Sequence, residues 1–136
     1  MSRLNDFLRP IQAEEEKEIV ISKRFADEKG EPIPFRIRAL TQEQIDRISR
    51  QSTRVTIKNG QRQEQFDSVE FNRRLVVAGT ADPDFSSAEV CQACGVLDPA
   101  LVPAKTLLAG EFAKLRDAIS QLSGFDGDTM EQEAKN

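Results

Sequence analysis

Apolar residues recur along this chain at two different periods, and the changes of period mark out its elements. Ile19, Ile21 and Phe25 stand on one side of an extended segment, and Ile33, Phe35, Ile37 and Ala39 on one side of the next. That period of two is the pattern of half-buried strands. Asp27-Glu28-Lys29-Gly30 lies between them and supplies a turn, with Gly30 free to take positive φ. A β-hairpin is predicted there. At Thr41 the period lengthens. Thr41 and Gln44 form a capping box, opening a helix with Ile45 and Ile48 on its apolar side and Arg47 and Arg50 outward.

Arg54-Val55-Thr56-Ile57-Lys58 alternates again, and Asn59-Gly60 is a strong two-residue hairpin signal. Residues 61–65 are wholly polar, however, so a mobile loop is predicted in place of a return strand. Asp67 is a good N-cap for a helix through Ala78, with Val69, Phe71, Leu75 and Val76 as apolar content and Gly79 as its stop. Asp82-Pro83-Asp84-Phe85 reads as a connector, and Ser86-Ser87-Ala88-Glu89 as a second capping box for a short helix ended by Gly95. Pro103 bars a continuous helix from Pro99, so a fresh one is predicted to start at Pro103 and run into the C-terminal element. There Leu108, Phe112, Leu115, Ile119 and Leu122 are spaced four, three, four and three, which lines one helix face and predicts core packing. Gly110 interrupts that run near its start. Gly124 stands where a left-handed cap is wanted, with Phe125 placed to fold back on the last turn.

The ends are simpler. Leu4, Phe7 and Leu8 make one apolar turn before Pro10, and the charged run 14–18 reads as a solvated linker or helix face. Residues 126–136 are small, polar and charged, and are expected to be disordered. The layout is one domain over 1–125 with a 126–136 tail. Its class is α+β: predominantly helical with a small N-terminal antiparallel β element.

Composition narrows the chemistry. At 136 residues the chain buries about two-thirds of its unfolded surface as one domain. Histidine is absent, which removes the commonest general base and the commonest metal ligand. All eight aromatics are Phe, so the amphipathic Tyr and Trp anchors typical of binding hot spots are missing. The start has no apolar h-region of a signal peptide, and the longest apolar run, Leu75-Val76-Val77-Ala78, is far short of the ~20 residues a bilayer span needs. The chain is expected in the cytoplasm of the cell that makes it.

Cys91-Gln92-Ala93-Cys94 has redox or zinc spacing, but its thiols lie toward the electronegative end of the predicted helix. A lone Cys pair also leaves a zinc site half built unless a dimer completes it. Both are expected to be small, partly buried residues. Arg36, Arg38, Arg47, Arg50, Arg54, Lys58 and Arg62 make the central third basic, against a formal net charge of −4 overall. A solvated, partly salt-bridged face is expected there. Asp126-Gly127-Asp128 is too short for a calcium loop. No catalytic, cofactor-binding or metal-binding residue is assigned, and no enzyme is predicted. No partner-binding residue is assigned either.

Several strings in order carry a resemblance: Leu4-Asn5-Asp6-Phe7-Leu8-Arg9-Pro10; Ile21-Ser22-Lys23-Arg24-Phe25 with Gly30-Glu31-Pro32-Ile33; Leu40-Thr41-Gln42-Glu43; Asp82-Pro83-Asp84-Phe85; Cys94-Gly95-Val96; and Gly110-Glu111 through Ser123-Gly124-Phe125. With them the chain resembles the tail assembly chaperones of long-tailed bacteriophages, specifically the XkdN-like group of phages and prophages of Gram-positive bacteria. It departs at Cys94, where that pattern has an aromatic, and over 53–65. The resemblance implies a non-enzymatic protein that binds the tape-measure protein, keeps it soluble and helps recruit tail tube protein around it. It also implies a longer frameshifted form as a further partner, and leaves self-association open. The physics agrees: a long helical chain with apolar seams self-associates unless something covers them. Two readings of other classes stand beside this one. A structural tail subunit would be found in purified particles by mass spectrometry, and a nucleic-acid-binding regulator would show salt-dependent DNA binding.

Overall fold

The computed structural model describes residues 3–8 and 15–125. Strand β2 (Phe35–Arg38) organises it, because Phe35 and Ile37 face inward while Arg36 and Arg38 face solvent. β1 (Glu16–Ile19) and β5 (Thr80–Asp82) flank β2, both antiparallel, in a three-stranded sheet. The N-terminal hairpin is therefore as expected, but its boundaries shift. Where it is described, the charged 14–18 run is neither linker nor helix face: Glu16, Lys17 and Glu18 belong to β1. An edge strand tolerates such charge on its solvent side, and Arg36 on β2 lies 3.6 Å from Glu16. Ile33 falls before β2 begins and is exposed, in contrast to the predicted core face.

α2 (Gln42–Gln51) forms its capping box as expected, with Thr41 Oγ1 accepting from the Gln44 N–H and Gln44 Oε1 from the Thr41 N–H. α3 (Ser68–Gly79) is capped by Asp67, which accepts from the Glu70 N–H at 3.1 Å. Between these helices the predicted 61–65 loop is instead a strand. β3 (Thr53–Lys58) and β4 (Gln61–Phe66) pair over their whole length. Asn59 and Gly60 take φ of +55° and +77°, the turn whose twist matches a tight hairpin. The ladder needs only backbone groups, and with both faces in solvent a polar strand costs nothing. Fully buried Ser52 holds the hairpin's base, its carbonyl accepting from the Asp67 N–H at 2.8 Å.

Gly79 is not a left-handed stop. It is the last residue of α3, packed so tightly on Ile119 that a Cβ there would sit 2.4 Å from Ile119 Cγ2. The next residues form β5, an element too short to leave a periodic signal, bonded to β2 with a bulge between Arg36 and Ile37. α4 (Ala88–Cys94) starts one residue later than predicted. Ser87 is its cap, because Ser86 is engaged by Asp84, its hydroxyl donating at 2.6 Å. A 3-10 turn (Pro99–Leu101) leads into α5 (Val102–Thr106). α5 does not continue into α6 (Ala109–Leu122), since Leu107 turns extended. Leu108 is therefore outside the helix and exposed, whereas Leu115 and Ile119 are fully buried and Phe112 and Leu122 pack at the core's margin. Gly124, at φ +100°, ends α6: its N–H donates to Gln121 O and the Phe125 N–H to Ser120 O, the paired bonds of a Schellman motif.

Helices α2, α3 and α6 cover the inner face of the sheet, with Ile48, Leu75, Val76, Leu115 and Ile119 meeting Phe35 and Ile37 in one core. Near the N-terminus, α1 (Arg3–Leu8) carries Leu4, Phe7 and Leu8 on its exposed surface. The expected tail at 126–136 and the Pro10 stop lie outside the described residues.

Candidate partner-docking site

α3 and α6 touch where Gly79 meets Ile119, near their C-terminal ends. Between their N-terminal halves lies an open groove of about 420 Å³ with α5 along it. Val69, Asn72 and Arg73 present one face of α3 to it; Ala109, Phe112, Ala113 and Arg116 present one face of α6. These are i, i+3, i+4 sets, so each wall is a rigid helical surface. The groove exists because its α5 and α6 walls carry small side chains, Ala104, Ala109 and Ala113, beside one large ring, Phe112. At its edge Val69 is 57% exposed and nearby Leu108 is 60% exposed. Two apolar side chains that far in water, one on α3 and one just before α6, mark a surface suited to contact. Both charges lining the groove are cationic, Arg73 and Arg116, and Arg116 also lies 3.2 Å from Asp117. Such a groove fits the apolar face of a helix that carries acidic residues on its flank.

One ion pair fixes the wall of this groove. Glu111, in the first turn of α6, is 7% exposed, and its carboxylate accepts from Arg24 Nε and Nη2 at 2.9 and 2.6 Å. It also accepts from the Leu108 N–H at 2.7 Å, so it caps its own helix. Arg24 Nη2 donates further to Thr106 O at 3.1 Å, and its guanidinium lies 5.1 Å from the Phe25 ring centroid. The Arg24 hydrogen bonds, against an opposing contribution from burial, hold the Glu111 carboxyl down to about 2. One bidentate pair thus spans the break between α5 and α6 and ties it to the hairpin turn.

This joint links two strings that carried the family resemblance, Ser22-Lys23-Arg24-Phe25 and Gly110-Glu111. A second joint ties that last string to one more, the Leu40 N–H donating to Ser123 Oγ at 2.9 Å. At these points the resemblance strings act as structural fastenings, while the last string also supplies Phe112, Ala113 and Arg116 to the groove wall. Sequence reasoning missed the Arg24–Glu111 pair, because the two residues are 87 positions apart. Glu at the third position of a helix with no side-chain cap was the available signal.

The other candidate residues fall where packing puts them. Cys91 is buried with Sγ 3.7 Å from Phe85 O, and Cys94 is half-buried; both are free thiols. Among the described residues no cluster of metal-ligating side chains occurs, and no helix is long and apolar enough to cross a membrane. The basic third is spread over β2, α2 and the β3–β4 hairpin, where Arg36, Arg47, Arg54 and Arg62 each lie within 4.0 Å of a carboxylate. Asp126 and Asp128 lie outside the described residues.

The model of the phage XkdN-like tail assembly chaperone proteins matches residues 4–135. The chain belongs to this family. It is 37% identical over 130 residues to the XkdN protein of the phage-like element PBSX of Bacillus subtilis strain 168, covering 93% of this chain and 87% of that protein. It is 36% identical over 126 residues to YqbN of the same strain, covering 90% of this chain and 85% of the relative. The crystal structure of YqbN superposes with a TM-score of 0.72 at 32% identity, over 88% of this chain and 95% of that one. A tail assembly chaperone has phage tail proteins as its partners and a role other than catalysis, which suits a molecule whose candidate site is an apolar groove.

Proposed function

We propose that this protein binds the tape-measure protein non-covalently, keeps it soluble, and assists assembly of the tail tube around it. The groove between α3 and α6 is the observation that carries this reading. Its apolar walls accept one face of a partner helix, and Arg73 and Arg116 attract acidic residues flanking that face. A tape-measure chain exposes many such faces until the tube encloses it. Covering them reversibly prevents their self-association and leaves the chain available for exchange against tube subunits. Binding takes place in the cytoplasm of the bacterial host, before the particle is complete.

Co-expression with the tape-measure protein of the same phage tests this. The expected result is a soluble complex that purifies by a tag on this chain, with aggregation when this chain is omitted. If the tape-measure protein stays insoluble beside both this chain and its longer frameshifted form, the reading is wrong. Recovery of this chain from purified particles would then favour a structural tail subunit.

A further inference from the structure

The outer edge of the β3–β4 hairpin carries a pattern that neither the core nor the groove uses. Its ladder runs from the Lys58–Gln61 pair to the Thr53–Phe66 pair, and the sheet has two strands. Lys58 and Gln61 flank a two-residue turn, so they form the hydrogen-bonded pair that closes it. Alternation along the ladder then turns the backbone N–H and C=O groups of Arg62, Glu64 and Phe66 to the open side. An open edge of this kind is a template for another strand.

Side-chain charge decides which strand fits. β4 reads Gln61-Arg62-Gln63-Glu64-Gln65, a sequence complementary to itself when reversed about Gln63. Set antiparallel to an identical strand about that residue, Arg62 of each copy stands opposite Glu64 of the other, and Gln61 opposite Gln65. Arg62 and Glu64 are also the residues whose backbone groups face the open side, so charge and hydrogen bonding select one register. The β3 edge has the opposite property. Reversed about Thr56, it sets Arg54 against Lys58 twice over, and like charges directly opposite are destabilising.

We propose that β4 pairs antiparallel with β4 of a second copy, giving a two-fold dimer through a continuous four-stranded sheet. Val55 and Ile57, which are 51% and 79% exposed, share one face of that sheet with the Arg62–Glu64 pairs between them. The aliphatic stems of those side chains cover part of the exposed apolar surface. Within one chain Arg62 already lies 3.1 Å from Glu64. The two such contacts, one in each copy, are exchanged for two between copies, so the backbone ladder supplies the affinity and the charges supply register and partner choice.

Sedimentation velocity on the full chain, from about 1 μM to about 1 mM, reads the result for so small an interface. The wild type is expected to shift from monomer to dimer within that range. Glu64→Arg and Arg62→Glu each place like charges opposite one another, and each is expected to raise the dissociation constant about tenfold or more. Both positions are exposed, so thermal melting reports an intact core. In an equimolar mixture of the two variants, one copy offers two guanidinium groups on β4 and the other two carboxylates. Each cation then stands opposite an anion, and the mixture is expected to form a heterodimer at wild-type affinity. A wild type that stays monomeric throughout, a Glu64→Arg variant that dimerises undiminished, or a mixture that stays monomeric would each overturn the proposal.

Discussion

Replacing Gly79 with alanine tests how α3 seats on α6. A Cβ at this position falls 2.4 Å from Ile119 Cγ2, 2.9 Å from Cδ1 and 3.0 Å from Cγ1. Ordinary contact between such atoms is about 3.5–4.0 Å. The Cβ is fixed to the backbone and cannot rotate away, and Ile119 has no exposed surface to move toward. Overpacking of this kind costs about 1–3 kcal/mol, and three close contacts place it at the upper end. Alanine recovers at most about 1 kcal/mol through its better helix propensity. The net expectation for Gly79→Ala is a loss of about 1–2 kcal/mol, read by urea unfolding, with a fall of several degrees in Tm. Ile119→Ala alone should cost about 2–5 kcal/mol, since it empties a fully buried site. The double variant should then cost less than the sum by about 1–2 kcal/mol, because the added Cβ enters the vacated space. A Gly79→Ala protein at least as stable as the wild type, or a strictly additive double variant, would refute the close approach.

Other expectations follow from the core, the ion pair and the groove. Leu115 is fully buried, so Leu115→Ala should lose about 2–5 kcal/mol in thermal or urea melts, and unchanged melting would mean the stripe on α6 is not core. Glu111 is held at about 2, below its ordinary 4.5, so its ionised form stabilises the fold fully above about pH 4.5 and ceases to do so as pH falls toward 2. The Tm lead of the wild type over Glu111→Gln should therefore be full at neutral pH and shrink through that acid window; a lead that does not vary with pH would contradict the pairing. Ala113→Glu puts an acidic side chain into the groove wall at a half-buried, core-free position. It should leave Tm within a few degrees of the wild type while weakening capture of the tape-measure protein at least about tenfold.

The local punctuation of the chain was legible because its chemistry is local. Thr41 with Gln44, Asp67, Asn59-Gly60, Gly95 and Gly124 each act within a few residues, through caps and turns that sequence spacing specifies. What was misread depends on distant partners or on solvent. Gly79 looks like a stop until Ile119 is seen against it. The strand 61–66 looks like a loop because its pairing uses backbone alone, and the polar side chains report only that no core lies on either face. Residues 80–82 are too few to show a period. Leu108 fits the helical stripe by spacing, yet the extended Leu107 leaves it outside the helix. The groove was invisible for the same kind of reason: it is a space left by Ala104, Ala109 and Ala113, and small residues read as ordinary helix formers until two helices diverge around them.

The measurement that bears most directly on the account is the soluble yield of tape-measure protein when it is co-expressed with wild-type chain or with Ala113→Glu. The account predicts tape-measure protein in the soluble fraction, bound to the wild type, and loss of both solubility and binding with the variant at equal expression and unchanged melting. Equal rescue by a folded Ala113→Glu protein would contradict the assignment of the α3–α6 groove, and rescue by neither, with the longer frameshifted form failing as well, would contradict tape-measure chaperoning itself.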